Sequence, residues 1–204
     1  MQIQKEEIRL KIIDIARDEF IINGFQDASL RVIAARAGIT LSNIYNYFKN
    51  KDDLFTEIIK PTLEVIEQQM LDHNSEQNMT IDYFRSEQMQ QTELLKMVAL
   101  IESHRTYLQL LLFKSTGSSH ANFREDMIRS STLTGQEYLL VMKEKYPEIS
   151  IDISPFFIHF MGSMWVNIMS EVVSHSLSHE QITKFISEYI AFGTAGWERI
   201  MKIK

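Results

Sequence analysis

Cysteine is missing from all 204 residues, which removes a disulfide framework, a thiolate metal site and a cysteine nucleophile together. Three prolines and seven glycines are thin punctuation for this length, so long uninterrupted elements are expected. No apolar signal core opens the chain: MQIQKEEIR is charged within its first six residues, and the longest apolar run, Phe156 to Met169, is interrupted by His159 and Asn167. No secretion signal and no membrane span are therefore expected, and a reducing cytoplasm suits the chain. HExxH, G-x-S-x-G and a glycine-rich phosphate loop are absent as well, so neither an enzyme nor a bound cofactor is expected. Positive charge is also in short supply. Nine basic residues balance nine acidic ones up to Lys60, leaving the whole net charge of -6 to the remainder. A neutral segment can still present a basic face if its charges segregate. Asp14, Asp18 and Glu19 fall in one stretch, and Arg31, Arg36, Lys49 and Lys51 in another.

What is present is helical periodicity. With 45% hydrophobic residues the chain can bury a sizeable core. From about Gln4 to Ile22, the residues Ile8, Ile12, Ile15, Ala16 and Phe20 recur at intervals of three and four, and Asn23-Gly24 ends that helix. Phe25 anchors the following turn. Ser29 is placed as an N-cap for a short helix carrying Leu30, Ile33, Ala34 and Ala37; Gly38 stops it, and Ile39-Thr40 leads into a second helix with Ile44, Tyr45 and Phe48 partly or wholly inward. A small residue four before the glycine and an apolar residue six after it is the pattern of a DNA-binding helix-turn-helix. Asn50, with Asp53 three residues on, then caps a helix whose core face is Leu54, Phe55, Ile58 and Ile59. Pro61 predicts a kink or break there. The polar run His73 to Thr80 reads as a connection.

The remainder is helical throughout, and the fold class is all-α. Ile81 to about Lys114 reads as two or three helices, Ser115 to Ser119 as a loop, and Asn122 to Tyr146 as a helix stopped by Pro147. Pro155 opens another, to about His175, and Ser178 with Gln181 forms a capping box for the last, through Trp197 to Met201. Glu171, His175 and His179 would share one face of an unbroken helix, but the Ser178 cap separates the histidines, so no metal site is expected. The last two helices carry more apolar surface than they can hide alone: Phe157, Phe160, Met161, Met164, Trp165, Ile168, Met169 and Val172, then Phe185, Tyr189, Phe192 and Trp197. Met97, His104, Tyr107, Phe113, Phe123 and Met127, on the central helices, are candidates for an adaptable apolar ligand pocket.

The run GFQDASLRVIAARAGITLSNIYNYFKNKDDLF resembles the N-terminal domain of the TetR (TetR/AcrR-like) family of transcriptional regulators. Gly24, Phe25, Ile33, Ala34, Gly38, Tyr45, Phe48, Lys51 and Leu54 stand where that pattern wants them. The likeness covers about the first quarter of the chain. It implies a helix-turn-helix DNA-binding domain over residues 1–50 and a helical ligand-binding and dimerisation domain over 51–204. By position, Leu41, Ser42, Asn43, Tyr45 and Asn46 would face the major groove, Tyr47 and Lys51 would hold phosphates, and Arg31 would reach a base. Leu41 is bulkier than the pattern favours. The resemblance further implies a homodimer built through Phe157, Met161, Met164, Trp165, Ile168, Phe185, Tyr189 and Phe192. Its partners would be a palindromic double-stranded DNA operator and an unidentified small-molecule effector, with no membrane. The function implied is a ligand-responsive transcriptional repressor; a helical protein-interaction module that has lost DNA binding is the alternative.

Overall fold

The computed structural model describes residues 2–75 and 78–204, and every element in it is helical: α1 (Gln2–Asp27), α2 (Leu30–Ala37), α3 (Leu41–Ile44), α4 (Lys51–His73), a 3-10 turn (Ile81–Phe84), α5 (Glu87–Phe113), α6 (Phe123–Lys145), α7 (Pro155–Ser174) and α8 (His179–Ile200). No strand occurs among the described residues. Inside α1, Gly24 has φ 71° and ψ 172°, so the regular helix stops at Asn23 and one further turn follows. Ser154 and Ser178 cap α7 and α8 through their hydroxyls, the latter in the reciprocal capping box that its sequence predicts. Two elements depart from expectation. The stretch from Glu87 to Phe113 is one helix rather than two or three, preceded only by the 3-10 turn. Pro61 does not break α4, because its ring faces solvent while Ile58, Ile59, Thr62 and Ile66 bury the turns on either side. Of the connection His73 to Thr80, residues 76 and 77 lie outside the described residues; Asn74 and Asn78 hold its flanks through amides on the carbonyls of Met70 (2.8 Å) and Asp72 (2.7 Å).

The chain divides into two compact units whose boundaries fall inside α4 and α5: residues up to Glu64 with Thr106–Phe123, and Val65–Arg105 with Arg124–Lys204. The first is thus larger than the 1–50 stretch, because the end of α5 and the loop after it pack within it. Its core is an aromatic cluster. The Phe20 and Phe25 rings stack at 5.9 Å, and Phe55 meets them edge-on at 5.1 and 5.2 Å, with Ile12, Ile33, Ile44 and Leu54 fully buried nearby in sequence. The returning segment is fixed by Phe25 N–H to the Lys114 carbonyl (2.8 Å), Ser119 N–H to Asp52 (2.8 Å), and Thr56 Oγ1 against His120 Nε2 (3.1 Å).

In the second unit, Phe84, Leu139, Met142, Ile149, Ile158, Met201 and Ile203 form one buried cluster. The C-terminal residues are tied in by Ser150 N–H to the Met201 carbonyl (2.7 Å) and by Arg85 on Glu198 (2.6 Å). Among the described residues α7 is the helix long and apolar enough to cross a membrane by length and composition; here Ile158, Val166, Met169, Val172 and Val173 bury one side of it in this unit. His175 turns its Nδ1 to the Glu171 backbone carbonyl (2.8 Å), whereas His179 Nδ1 faces the Glu102 carboxylate (2.9 Å), so the two histidines have different partners.

Burial also marks three phenols here. It raises the pKa of Tyr138 to about 12, raises Tyr83 further with help from the Glu93 carboxylate, and raises Tyr189. Above about pH 10 the unfolded chain releases phenolic protons that the folded chain retains, so stability present below that pH is lost as pH climbs towards the folded values. Urea unfolding from about pH 9 to about pH 11 is expected to show a falling midpoint, and Tyr138→Phe to reduce the slope of that fall.

Candidate nucleic-acid interface

The turn between α2 and α3 is set by backbone chemistry. Gly38 sits at φ 73°, ψ 29°, its N–H bonds the Ala35 carbonyl at 3.1 Å, and Ile39 N–H reaches back to Ala34 at 3.0 Å. That pairing closes α2 and redirects the chain within two residues. Space is not the reason for glycine, since an added Cβ would meet nothing within 4 Å; the left-handed conformation is. Thr40 then caps α3, its Oγ1 accepting the Asn43 N–H at 3.3 Å. The helix that follows is shorter than its sequence pattern suggests. After Ile44 the chain tightens into a turn, with Asn46 N–H on the Asn43 carbonyl and Tyr47 N–H on that of Ile44, before Phe48 N–H returns to Ile44. Ile44 and Phe48, almost wholly buried, anchor this segment to the first unit's core.

Its outer side is polar. Ser42 and Asn46 are exposed, Tyr45 is 52% exposed, and Leu41, Asn43 and Tyr47 are half-buried. Thr40 Oγ1 and Ser42 Oγ lie 2.9 Å apart, and the Asn46 amide donates to the Asn43 Oδ1 at 3.0 Å. Among the described residues the amide pair leaves the Asn43 NH2 and the Asn46 oxygen unengaged, a donor beside an acceptor. Lys5, which nothing in the sequence pattern singled out, carries its ammonium 5.9 Å from the Tyr47 ring centre. Arg31 is exposed and makes no ion pair with a described residue. Arg36, by contrast, turns to α1, pairing with Asp18 (3.3 Å) and Glu19 (4.0 Å).

Three charged side chains hold the corner beneath this face. Glu19, buried, accepts from Asn23 Nδ2 (3.0 Å) and from Ser29 N–H (3.3 Å), while the Ser29 side chain makes no capping bond; the carboxylate sets its negative charge at the start of α2 instead. Lys51 donates to the carbonyls of Gln26 and Ala28, each at 3.1 Å, and lies 4.6 Å from the Phe25 ring centre. Lys114 donates to the carbonyls of Ile21 and Ile22. Lys51, expected at a phosphate, spends two of its three ammonium donors on the Gln26 and Ala28 carbonyls and so also braces the corner. The exposed run of a lone lysine gives no signal for this, because the carbonyls it meets are some 23–25 residues away.

The other candidate residues fall in separate places. Met97, His104 and Met127 belong to the second unit, and Tyr107, Phe113 and Phe123 to the first. Met97, Phe123 and Met127 are buried; Tyr107 hydrogen-bonds Arg17; Phe113 ends α5 and is 46% exposed. Phe157, Met161, Met164, Trp165, Ile168 and Tyr189 are half-buried, and Phe185 and Phe192 exposed. Phe156 (76% exposed) and Phe160 extend that apolar face, at a spacing of four that the sequence already contained.

Residues 12–58 match the family model for bacterial regulatory proteins of the tetR family. That stretch carries the DNA-binding domain of the tetR family. The regulator AcrR of Shigella flexneri is 44% identical over 55 residues, covering 27% of this chain and 26% of AcrR. The match spans little more than a quarter of the length of the first curated relatives. In structure, a fatty acid metabolism regulator described as putative, from Clostridium perfringens, superposes with a TM-score of 0.61 at 15% identity, over 90% of this chain and 97% of that one. FadR of Bacillus subtilis, solved in complex with stearoyl-CoA, gives 0.57 at 16% identity over 90% and 98%. At such identity the likeness is one of fold. It shows that the shared fold runs well beyond the helix-turn-helix.

Two substitutions test the corner. Gly38→Ala should cost about 1–2 kcal/mol in urea unfolding, the left-handed penalty for an L-residue. Lys51→Met, which keeps the stem and removes the charge, should cost about 1–2 kcal/mol, since charge-assisted bonds to two carbonyls are lost in a half-exposed position.

Proposed function

We propose that the protein is a ligand-responsive transcriptional regulator, a repressor, that binds a palindromic operator as a dimer and is released by a small molecule. The observation that carries this is the polar row Thr40, Ser42, Asn43, Tyr45 and Asn46, held outward on a helix-turn-helix whose apolar side is locked by Ile44 and Phe48. Residues 1–50 do the DNA binding, and residues 51–204 bind the effector and the second copy. Asn43 and Asn46 present a donor and an acceptor that suit the N7 and N6 edge of adenine, and Arg31 reaches a base as well. Leu41 and Tyr45 give apolar contact to thymine methyls, and Tyr47 holds a phosphate beside Lys5. Lys51 acts through the turn it supports. Dimerisation uses the apolar face of α7 and α8, whose exposed phenylalanines would otherwise meet water. Two such copies would seat their recognition segments in successive major grooves about 34–36 Å apart. The protein works in the cytoplasm, without a membrane and without catalysing a reaction.

The balanced charge up to Lys60 favours one other reading, a helical protein-interaction module that no longer binds DNA. Fluorescence anisotropy on DNA from immediately upstream of the coding sequence, beside scrambled DNA and across a salt series, separates the two. Selective binding that weakens with salt supports the regulator; no preference at any salt supports the module. In the same assay Asn43→Ala should cost about 1–3 kcal/mol of discrimination at one base position, whereas Tyr47→Phe should weaken binding to every sequence alike. Equal, sequence-independent losses from both would overturn the assigned roles.

A further inference from the structure

Beyond Ile44 the recognition segment has no helical ladder to hold it. The N–H groups of Asn46, Tyr47 and Phe48 turn back to the carbonyls of Asn43 and Ile44, so the direction of Tyr45, Asn46 and Tyr47 depends on what fixes Phe48. Phe48 is 3% exposed, and the guanidinium of Arg9, on α1, lies 5.8 Å from its ring centre. The same guanidinium donates to the carboxylate of Glu57 on α4, 48 residues on, and through Nη1 to Glu6 at 3.2 Å. Asn50 and Asp53 fix where α4 begins, the Asn50 side chain taking the Asp53 N–H and the Asp53 side chain the Lys49 N–H, each at 2.8 Å. Glu57 lies a turn further along and so fixes the line of α4 against α1. One turn before Arg9, Lys5 sits over the Tyr47 ring and makes no ion pair with a described residue.

We infer that Arg9 is a positioning residue of the recognition segment, holding Phe48 against α4 through Glu57. A guanidinium suits this because its edge bonds carboxylates while its face covers a ring; an ammonium has no such flat face. Its surroundings argue against direct contact with DNA. One cation between two carboxylates leaves that spot net negative, which repels a phosphate, whereas Lys5 carries its charge unpaired among the described residues. The boundary of the first unit falls at Glu64, further along α4, so the Glu57–Arg9 pair ties the recognition segment to a helix that runs on into the second unit. The inference deepens the DNA-binding reading above and rests on it for the consequence at the operator; the positioning itself needs no DNA.

The test uses the full chain. Hydrogen exchange of the DNA-free protein, read by mass spectrometry, reports the segment directly: Glu57→Gln and Arg9→Lys are expected to speed exchange at Asn46, Tyr47 and Phe48 about tenfold and to leave α8 unchanged. Anisotropy on the upstream DNA and on scrambled DNA supplies the second reading. Both variants should lower the preference for the upstream sequence about tenfold without weakening binding to scrambled DNA. The sign for Glu57→Gln decides between positioning and plain charge, since removing a negative charge near DNA would by itself tighten binding to every sequence. The double variant should lose no more than either single one, because the two residues act through one contact. Glu57→Gln, which keeps size and shape, serves if Arg9→Lys fails to fold. Unchanged exchange at Asn46 to Phe48, additive losses, or uniform tightening by Glu57→Gln would each overturn the role of Arg9. Faster exchange in the variants of a protein that shows no DNA preference would remove the regulator and leave the positioning; a DNA preference untouched by both variants would do the reverse.

Discussion

The first unit depends on the corner between Asn23 and Ser29. A helix that ends at Gly24 exposes its last carbonyls, and these would be left facing apolar side chains around Phe25. Two cations from later in the sequence answer carbonyls of this corner, Lys51 at Gln26 and Ala28, and Lys114 at Ile21 and Ile22, while the Phe25 N–H is taken by the Lys114 carbonyl. Glu19 supplies the opposite charge where α2 begins. The helix-turn-helix is therefore oriented by charge against backbone dipole as much as by its aromatic core, and the segment after α5 is an integral part of the unit that carries it.

Much of this was legible in the sequence. The Ala34, Gly38 and Ile44 spacing, the Asn50 cap and the Ser178 capping box act through local backbone geometry, and local signals survive without knowledge of the fold. The strut role of Lys51 was not legible, because it depends on carbonyls distant in sequence and on the break at Gly24. Pro61 misled for a related reason: its cost is local, but the burial of Ile58, Ile59, Thr62 and Ile66 that keeps α4 continuous is tertiary. The ligand-pocket candidates rest on being apolar or soft on central helices, a criterion that does not separate a lining from ordinary packing, and it gathers residues as different in exposure as Met97 and Phe113.

The two units differ in how they treat polarity. In the first, buried charge is satisfied internally, as Glu19 shows with Asn23, Ser29 and Arg36. In the second, the side-chain oxygens of Asn74 and Thr183 are buried without a hydrogen-bond partner among the described residues, although the cluster of Phe84, Leu139 and Met142 is tightly buried. A core with that imbalance is less stable than an all-apolar one would be, which is a common mark of groups retained for something other than folding.

The Asn43–Asn46 amide bond adds a property that contact chemistry alone does not convey. Each side chain already fixes the rotamer of the other before anything approaches. Whatever meets this face encounters a rigid template, so the usual loss of side-chain freedom on association, about 0.5–1.5 kcal/mol for each immobilised group, has largely been met during folding. A preset template is also unforgiving, since it cannot rotate to accommodate a partner whose donors and acceptors are in the wrong order.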